Sequence, residues 1–416
     1  KWVDSIYQSL SLDQKIGQLF TPMVFSKKDE DHFNEIKNLI EKYHIGGIIF
    51  SLGSPFKQSQ WLNEFQSISK VPLMISMDAE WGVAMRLDSL LAFPWGMTLG
   101  AIKDNNIIRR IGQRMGEQEM ILGVHMSYAP VLDINTNPEN PIIGNRSFGE
   151  DPKRVAEKGV ALMKGHHDAG ILTSGKHFPG HGDTAKDSHK TLPTVNFDRF
   201  RLENTEIYPF KKAIEQGLSS VMTAHLNVPA LTFSSDPTSL SPAVVTKLLR
   251  QNIGFNGLAV TDALNMKGAV PNNSDNNIDL LALLAGNDVL LISQDIPLGI
   301  QKIKNAYNNL PIVKSRVEES VKKILKAKYK VGLTEKITIN KNNLQARLNT
   351  RKDTLLIEEA YSKSITLIKN DNQFLPLDPH TTYAHIKLGD DHSDVFEAQL
   401  RDNANIKTVK SSTVEQ

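Results

Sequence analysis

Along the first two-thirds of the chain, short apolar runs alternate with longer stretches whose apolar residues recur at helical spacing. The runs lie at 44–50, 72–78, 124–130, 171–177, 219–225, 257–262 and 288–293. Each is apolar on both faces and bounded by Gly, Pro or polar residues, which predicts buried parallel strands. Between them, residues 151–169, 200–216 and 241–251 predict helices. Asp151-Pro152 and Ser241-Pro242 each set a capping side chain before a proline, the signature of a helix start. Parallel strands need crossovers of this kind, so repeated βα units predict a barrel or a doubly wound sheet.

Polar residues at the strand ends separate the two options. Asp78, Lys176-His177, His225 and Asp262 each follow an apolar run and would be costly in a core. In a (β/α)8 barrel all C-terminal strand ends converge on one face, where the active site lies. A doubly wound sheet would carry a Gly-rich dinucleotide loop after an early strand, and no G-x-G-x-x-G stands there. The expected fold class is therefore α/β, a TIM-type (β/α)8 barrel over residues 1–335, closed by a helix at 317–331. Residues 336–351 are polar and read as a linker. Residues 352–416 restart an α/β pattern, with a helix at 355–362 and strands at 364–369 and 383–388. They are too few to close a doubly covered sheet, so they read as the incomplete start of a second domain.

The chain has 416 residues, 40% hydrophobic and 23% charged, with a net charge of +2. That balance suits a soluble globular protein and gives no field for nucleic acid. Lys and Arg gather at 301–335 but alternate with apolar residues, the pattern of wet helix faces. Without cysteine, disulfides, thiolate zinc sites and thiol nucleophiles are excluded. No apolar run reaches membrane-spanning length. The first residue is Lys1, so an upstream segment is expected to have been removed or left out, and export from a bacterial cell is the expected localisation, with the cytoplasm as the alternative.

The densest chemistry is Lys176-His177-Phe178-Pro179-Gly180-His181-Gly182-Asp183-Thr184, followed by Asp187-Ser188-His189. It leaves a predicted strand and runs into a Gly/Pro loop, where scaffolds mount catalytic groups. A solvated surface loop is the plain alternative. A metal site on His177, His181, Asp183 and His189 is another, although Pro179 and Gly180 keep the first two off a common helical face. Asp187 can bond one nitrogen of His189 and fix its tautomer, leaving the other to donate and later recover a proton. Asp262 ends a strand as a lone carboxylate, either a cap for the next helix or a nucleophile. His225 lines the pocket or packs in the core, His125 reads as core, and His166-His167 read as surface.

KHFPGHGDT…DSH, with VTDALNM downstream, closely resembles the β-N-acetylglucosaminidases of glycoside hydrolase family 3. Asp78-Ala79-Glu80-Trp81-Gly82…Arg86 resembles the family's sugar-binding element, and Asn145-Arg146-Ser147-Phe148-Gly149 its N/D-R-x-F-G motif. The stretch Ser364–Lys369 with Leu375-Pro376-Leu377 resembles the start of the α/β sandwich domain that many members carry. The resemblance implies a retaining exo-β-N-acetylglucosaminidase acting on saccharides derived from peptidoglycan or chitin, with no cofactor. Asp262 would attack the anomeric carbon, and His189, oriented by Asp187, would serve as acid and base. Asp78, Arg86, Arg146, Lys176 and His177 would hold a terminal N-acetylglucosamine. Met266 reads as packing near the sugar or as a plain core residue. A phosphorylase and a metal-dependent hydrolase are the alternatives. Trp81 stands where many members have Gly, and Ala263 where many have Asp; Trp81 would narrow or stack in the aglycone region, or fill core.

Overall fold

The computed structural model describes residues 1–184, 191–232, 235–270, 277–388 and 394–411. The chain divides into two compact units, Lys1–Ser364 and Ile365–Gln416.

The first unit is built on parallel strands: β1 (Phe20–Thr21), β2 (Met23–Val24), β3 (Gly47–Phe50), β4 (Met74–Met77), β5 (Met126–Ser127), β6 (Leu172–Phe178), β7 (Ser220–Thr223), β8 (Leu258–Thr261) and β9 (Leu290–Leu291). Strands β2 to β8 form one seven-stranded sheet in chain order, and β1 pairs with β9. Every pairing is parallel. Strands β3, β4, β6, β7 and β8 are buried along their whole length, as strands covered on both faces must be. All seven expected runs contain a strand.

The stretch from Phe20 to Val24 carries two strands that the apolar pattern did not indicate. Pro22 divides them because it has no N–H for the ladder, but its carbonyl still accepts the amide of Ile49 at 3.0 Å. At the other edge, Val260 pairs with Val289 just before β9.

The crossover helices start where the chain offers a short oxygen side chain. Asp29, Ser54, Asp104, Asp151, Asp198 and Asp295 each accept a backbone amide of the first turn. Ser241 departs from its expected role. Its carbonyl, not its hydroxyl, accepts the amides of Val244 and Val245, and Ala243–Asn252 winds as a π-helix. The helix expected over 200–216 is two, Arg199–Asn204 and Tyr208–Glu215, because Pro209 can open a helix but not continue one. The expected closing helix is longer, Pro311–Lys330. No helix among the described residues is long and apolar enough to cross a membrane.

His166 is not at the surface. Helices Asn105–Ile121 and Pro152–Asp168 meet through glycines: a Cβ on Gly112 would collide with the Leu162 carbonyl, and one on Gly165 with that of Arg109. This close approach covers His166 completely and sets it 3.7 Å from Glu119. His167 is half-buried against the Thr173 hydroxyl.

Residues 336–351 differ from a free linker. Ile339 exchanges two hydrogen bonds with the Asn63 side chain. Leu344 and Leu348, in the short helix Leu344–Leu348, are buried. The next helix, Arg351–Ser364, also belongs to the first unit, tied by buried Asp353 to Arg114. The division therefore falls after Ser364. Polarity misleads here because polar side chains of the stretch are themselves docked, Lys336 on the Ser67 carbonyl and Asn349 on that of Ser89, beside its buried leucines.

The second unit holds β10 (Thr382–Leu388) and β11 (Asn405–Ser411), parallel and in register from Thr382 against Asn405. Helix Asp394–Asn403 lies between them in sequence. The strand expected at 364–369 is absent: residues 365–370 follow no regular backbone, and Ile365 and Ile368 are exposed. An apolar run becomes a strand only where a neighbour completes its ladder, and none among the described residues does.

Candidate active site

Because all these strands run parallel, the segments leaving their C-terminal ends emerge on one side. There Asp78, Glu80, Arg86, Arg146, Lys176, His177, His181, Asp262 and Met266 line a single cavity of about 580 Å³. Every residue expected to attack or hold the sugar that the structure describes is among them, whereas Asp183 and His225 are not. Asp187 and His189 lie outside the described residues.

The charged groups form one network. Asp78 accepts Lys176 at 2.8 Å and Arg86 at 2.6 Å. Glu80 takes Arg146 in a two-pronged pair at 2.6 and 2.8 Å, and Lys176 lies 2.8 Å from the same carboxylate. Burial pushes the Asp78 and Glu80 carboxyls up, but the neighbouring cations outweigh it and hold both below the ordinary range. Burial lowers Lys176, but Asp78 and Glu80 more than restore its charge. With Asp262, the cavity carries three carboxylates against three fixed cations, a wall suited to a neutral, hydroxyl-rich ligand.

His177 is fixed by a residue that the apolar pattern did not single out. Buried Asp133 receives the His177 Nδ1 proton at 2.6 Å and the backbone amides of His177 and His181 at 3.1 and 2.6 Å. Burial raises the Asp133 carboxyl, and the two imidazoles draw it below its usual range. The signal was Val131-Leu132-Asp133, another apolar run ending in a carboxylate. Glu80 drew no role from the sequence although it stands in one motif with Asp78 and Arg86. His181 is buried, with Nδ1 2.6 Å from the Thr184 hydroxyl. No three His, Asp or Glu among the described residues are grouped to hold a metal.

Asp262 directly follows β8 and receives the Ala263 amide at 2.8 Å. Burial pushes its carboxyl up, but His177, His225, that amide and Lys176 together bring it below the ordinary range, so it is ionised. His225 is fully buried and spans Ser239 at 2.7 Å and the Ala263 carbonyl at 3.0 Å. It braces the turn that carries Asp262. His125 sits in the core, its Nδ1 accepting the Ile75 amide.

The glycosyl hydrolase family 3 N-terminal domain model matches residues 11–327. Beta-hexosaminidase A of Pseudoalteromonas piscicida is 30% identical over 393 residues, covering 86% of this chain and 64% of that protein. The chain thus spans somewhat under two-thirds of that relative. Beta-hexosaminidase LpqI of Mycobacterium tuberculosis is 32% identical over 332 residues, covering 76% and 82% of the two chains. The solved glycoside hydrolase family 3 beta-N-acetylglucosaminidase of a Paenibacillus species superposes with a TM-score of 0.84 at 32% identity, over 97% of this chain and 80% of that one. The chain belongs to glycosyl hydrolase family 3.

Proposed function

We propose that this protein is a retaining exo-β-N-acetylglucosaminidase that removes a terminal non-reducing N-acetylglucosamine from saccharides. One observation carries the reading: an ionised aspartate, Asp262, shares a cavity with a charge-balanced set of hydroxyl-binding groups, Asp78, Arg86, Arg146, Lys176 and His177. The names of the relatives, beta-hexosaminidases and a beta-N-acetylglucosaminidase, support the same substrate class.

In the first step the Asp262 carboxylate attacks the anomeric carbon while His189, held by Asp187, protonates the glycosidic oxygen. The carbon–oxygen bond breaks, the aglycone leaves as an alcohol, and the sugar is esterified to Asp262. In the second step neutral His189 takes a proton from water. The water oxygen bonds to the anomeric carbon, the ester bond breaks, and Asp262 regains its charge. Two displacements on one carbon retain its configuration. Met266 packs against the sugar.

The proposed scaffold is a closed (β/α)8 barrel. The continuity of β1 and β2 across Pro22 and the Val260–Val289 pairing support eight strand positions around a ring. Residues 365–416 are proposed as belonging to an α/β sandwich domain, supported by the parallel β10–β11 pair.

The test is trapping. A fluorinated N-acetylglucosamine analogue with a good leaving group should add one sugar mass to the Asp262 peptide, and Asp262→Ala should abolish both labelling and turnover. Labelling elsewhere, or near-normal turnover by Asp262→Ala, would refute the assignment. Release of a sugar 1-phosphate only when phosphate is supplied would make the second acceptor phosphate instead of water.

A further inference from the structure

The cavity has a second kind of wall, aromatic and nearer to solvent. Trp81 follows Glu80 directly and lines the same cavity. Its indole is stacked on that of Trp95, ring centroids 4.4 Å apart and planes 14° from parallel. Trp95 is 43% exposed, whereas Glu80 is only 8% exposed. The stack therefore runs outward from the charged floor to the mouth. Since Trp95 covers one face of Trp81, what Trp81 gives the cavity is its other face and its rim.

This pair is held in place by backbone. The Phe93 amide donates to the Trp81 carbonyl at 3.1 Å. Gly82 has φ +87°, and a Cβ there would meet the Phe93 ring at 3.0 Å, so the turn after Trp81 sits against the segment leading to Trp95. Gly96, after Trp95, lies so close to the Arg146 carbonyl that a Cβ would collide with it. Both tryptophans are thus tied to residues of the charged network, Glu80 and Arg146. A rigid aromatic surface costs little ordering on binding.

We propose that Trp81, backed by Trp95, is a stacking platform for a pyranose ring in the leaving group, making the enzyme selective for saccharide over small aglycones. This rests on the exo-glycosidase reading above and adds the leaving-group side to it. The charged floor satisfies the hydroxyls of the terminal sugar, so the next ring outward reaches the indole. The C–H bonds on one pyranose face carry partial positive charge and lie favourably on the negative face of an aromatic ring. Trp95 limits how Trp81 can turn, which leaves one orientation for the sugar to meet.

The experiment compares two substrates with the purified chain: N,N′-diacetylchitobiose, whose leaving group is a pyranose, and methyl N-acetyl-β-glucosaminide, whose leaving group is not. Trp81→Ala should lower kcat/KM for the disaccharide about tenfold or more while the methyl glycoside stays within about twofold. Trp95→Ala, at a largely exposed position, should act in the same direction and less strongly, and Trp81→Phe should keep most of the preference. Far-ultraviolet dichroism and thermal unfolding establish that each variant is folded; if Trp81→Ala is not, Trp95→Ala and Trp81→Phe carry the test. An equal loss on both substrates, or none on the disaccharide, overturns the platform. Turnover of neither substrate by the unaltered chain overturns the exo-glycosidase reading, and the platform falls with it.

Discussion

His177 gives its Nδ1 proton to Asp133 across 2.6 Å, and that bond decides which nitrogen the cavity meets. An ionised carboxylate can only accept, so Nδ1 carries a proton and Nε2 is the nitrogen turned to the cavity, 3.5 Å from Arg146. Asp133 also receives two backbone amides and has no exposure to solvent, so it orders the strand end and the first turn of the loop together.

Asp133→Asn should therefore disturb orientation more than shape. The amide turns one acceptor into a donor facing donors, and about a 100-fold fall in kcat/KM is expected, by analogy with tautomer loss in buried Asp–His pairs. Nitrogen chemical shifts of the His177 ring should report the changed tautomer. Unchanged shifts with unchanged kinetics would contradict the arrangement.

Glu80 offers a different outcome. Both of its oxygens are engaged by Arg146 and Lys176. Glu80→Gln leaves buried Lys176 and partly buried Arg146 short of one charge, and breaking such a pair from one side costs about 3 kcal/mol. The thermal midpoint should drop by several degrees, and KM for the N-acetylglucosaminide should rise by about tenfold as the two cations shift. A variant of unchanged stability and KM would show that Asp78 alone organises Lys176.

Much of this site could be read before the fold was seen, because chemistry at strand ends breaks the apolar pattern. Asp78, Lys176, His177 and Asp262 stood out in that way, and all four line one cavity. Asp133 ends a run in the same manner but lies one run away from the motif that drew notice. The strands at Phe20–Val24 were hidden by Pro22, which a central strand tolerates only by interrupting its ladder. His166 looked exposed because helix burial depends on the neighbour, and only the glycine contacts of the facing helix reveal how near that neighbour comes. The stack of Trp81 on Trp95 joins residues on either side of a turn, and no periodicity announces it.

The charge state of Asp262 sets the acid side of the first chemical step. Its carboxyl lies below the ordinary range despite burial, because His177, His225, the Ala263 amide and Lys176 stabilise the anion. A glycosyl fluoride departs without help from a general acid, so inactivation by a fluorinated analogue reports the nucleophile alone. Its rate should stay level as pH falls to about 4, the usual carboxylate range. A fall centred at pH 5 or above would mean that Asp262 is protonated in the free enzyme.

Lys328, near the end of Pro311–Lys330, tests the far side of the same unit. It is completely buried, its ammonium bonded to Gln18 Oε1 at 2.7 Å, and burial pushes it down to about 7. In the unfolded chain the amine titrates near its ordinary value of 10.5. Between these values the unfolded state holds a proton that the folded state lacks, so this residue makes stability rise with pH. Below pH 7 both states are charged and the full desolvation cost remains; above about 10.5 both are neutral and it is gone. Lys328→Met removes the cost but leaves Gln18 without its donor, so a net gain of about 2 kcal/mol is expected at pH 6. Denaturant unfolding of both proteins from pH 6 to pH 10 should show that gain level near pH 6, falling above pH 7 and turned into a loss by pH 10. A gain independent of pH would mean that the amine stays charged in the folded state throughout the range, and a loss at every pH that the bond to Gln18 outweighs the buried charge.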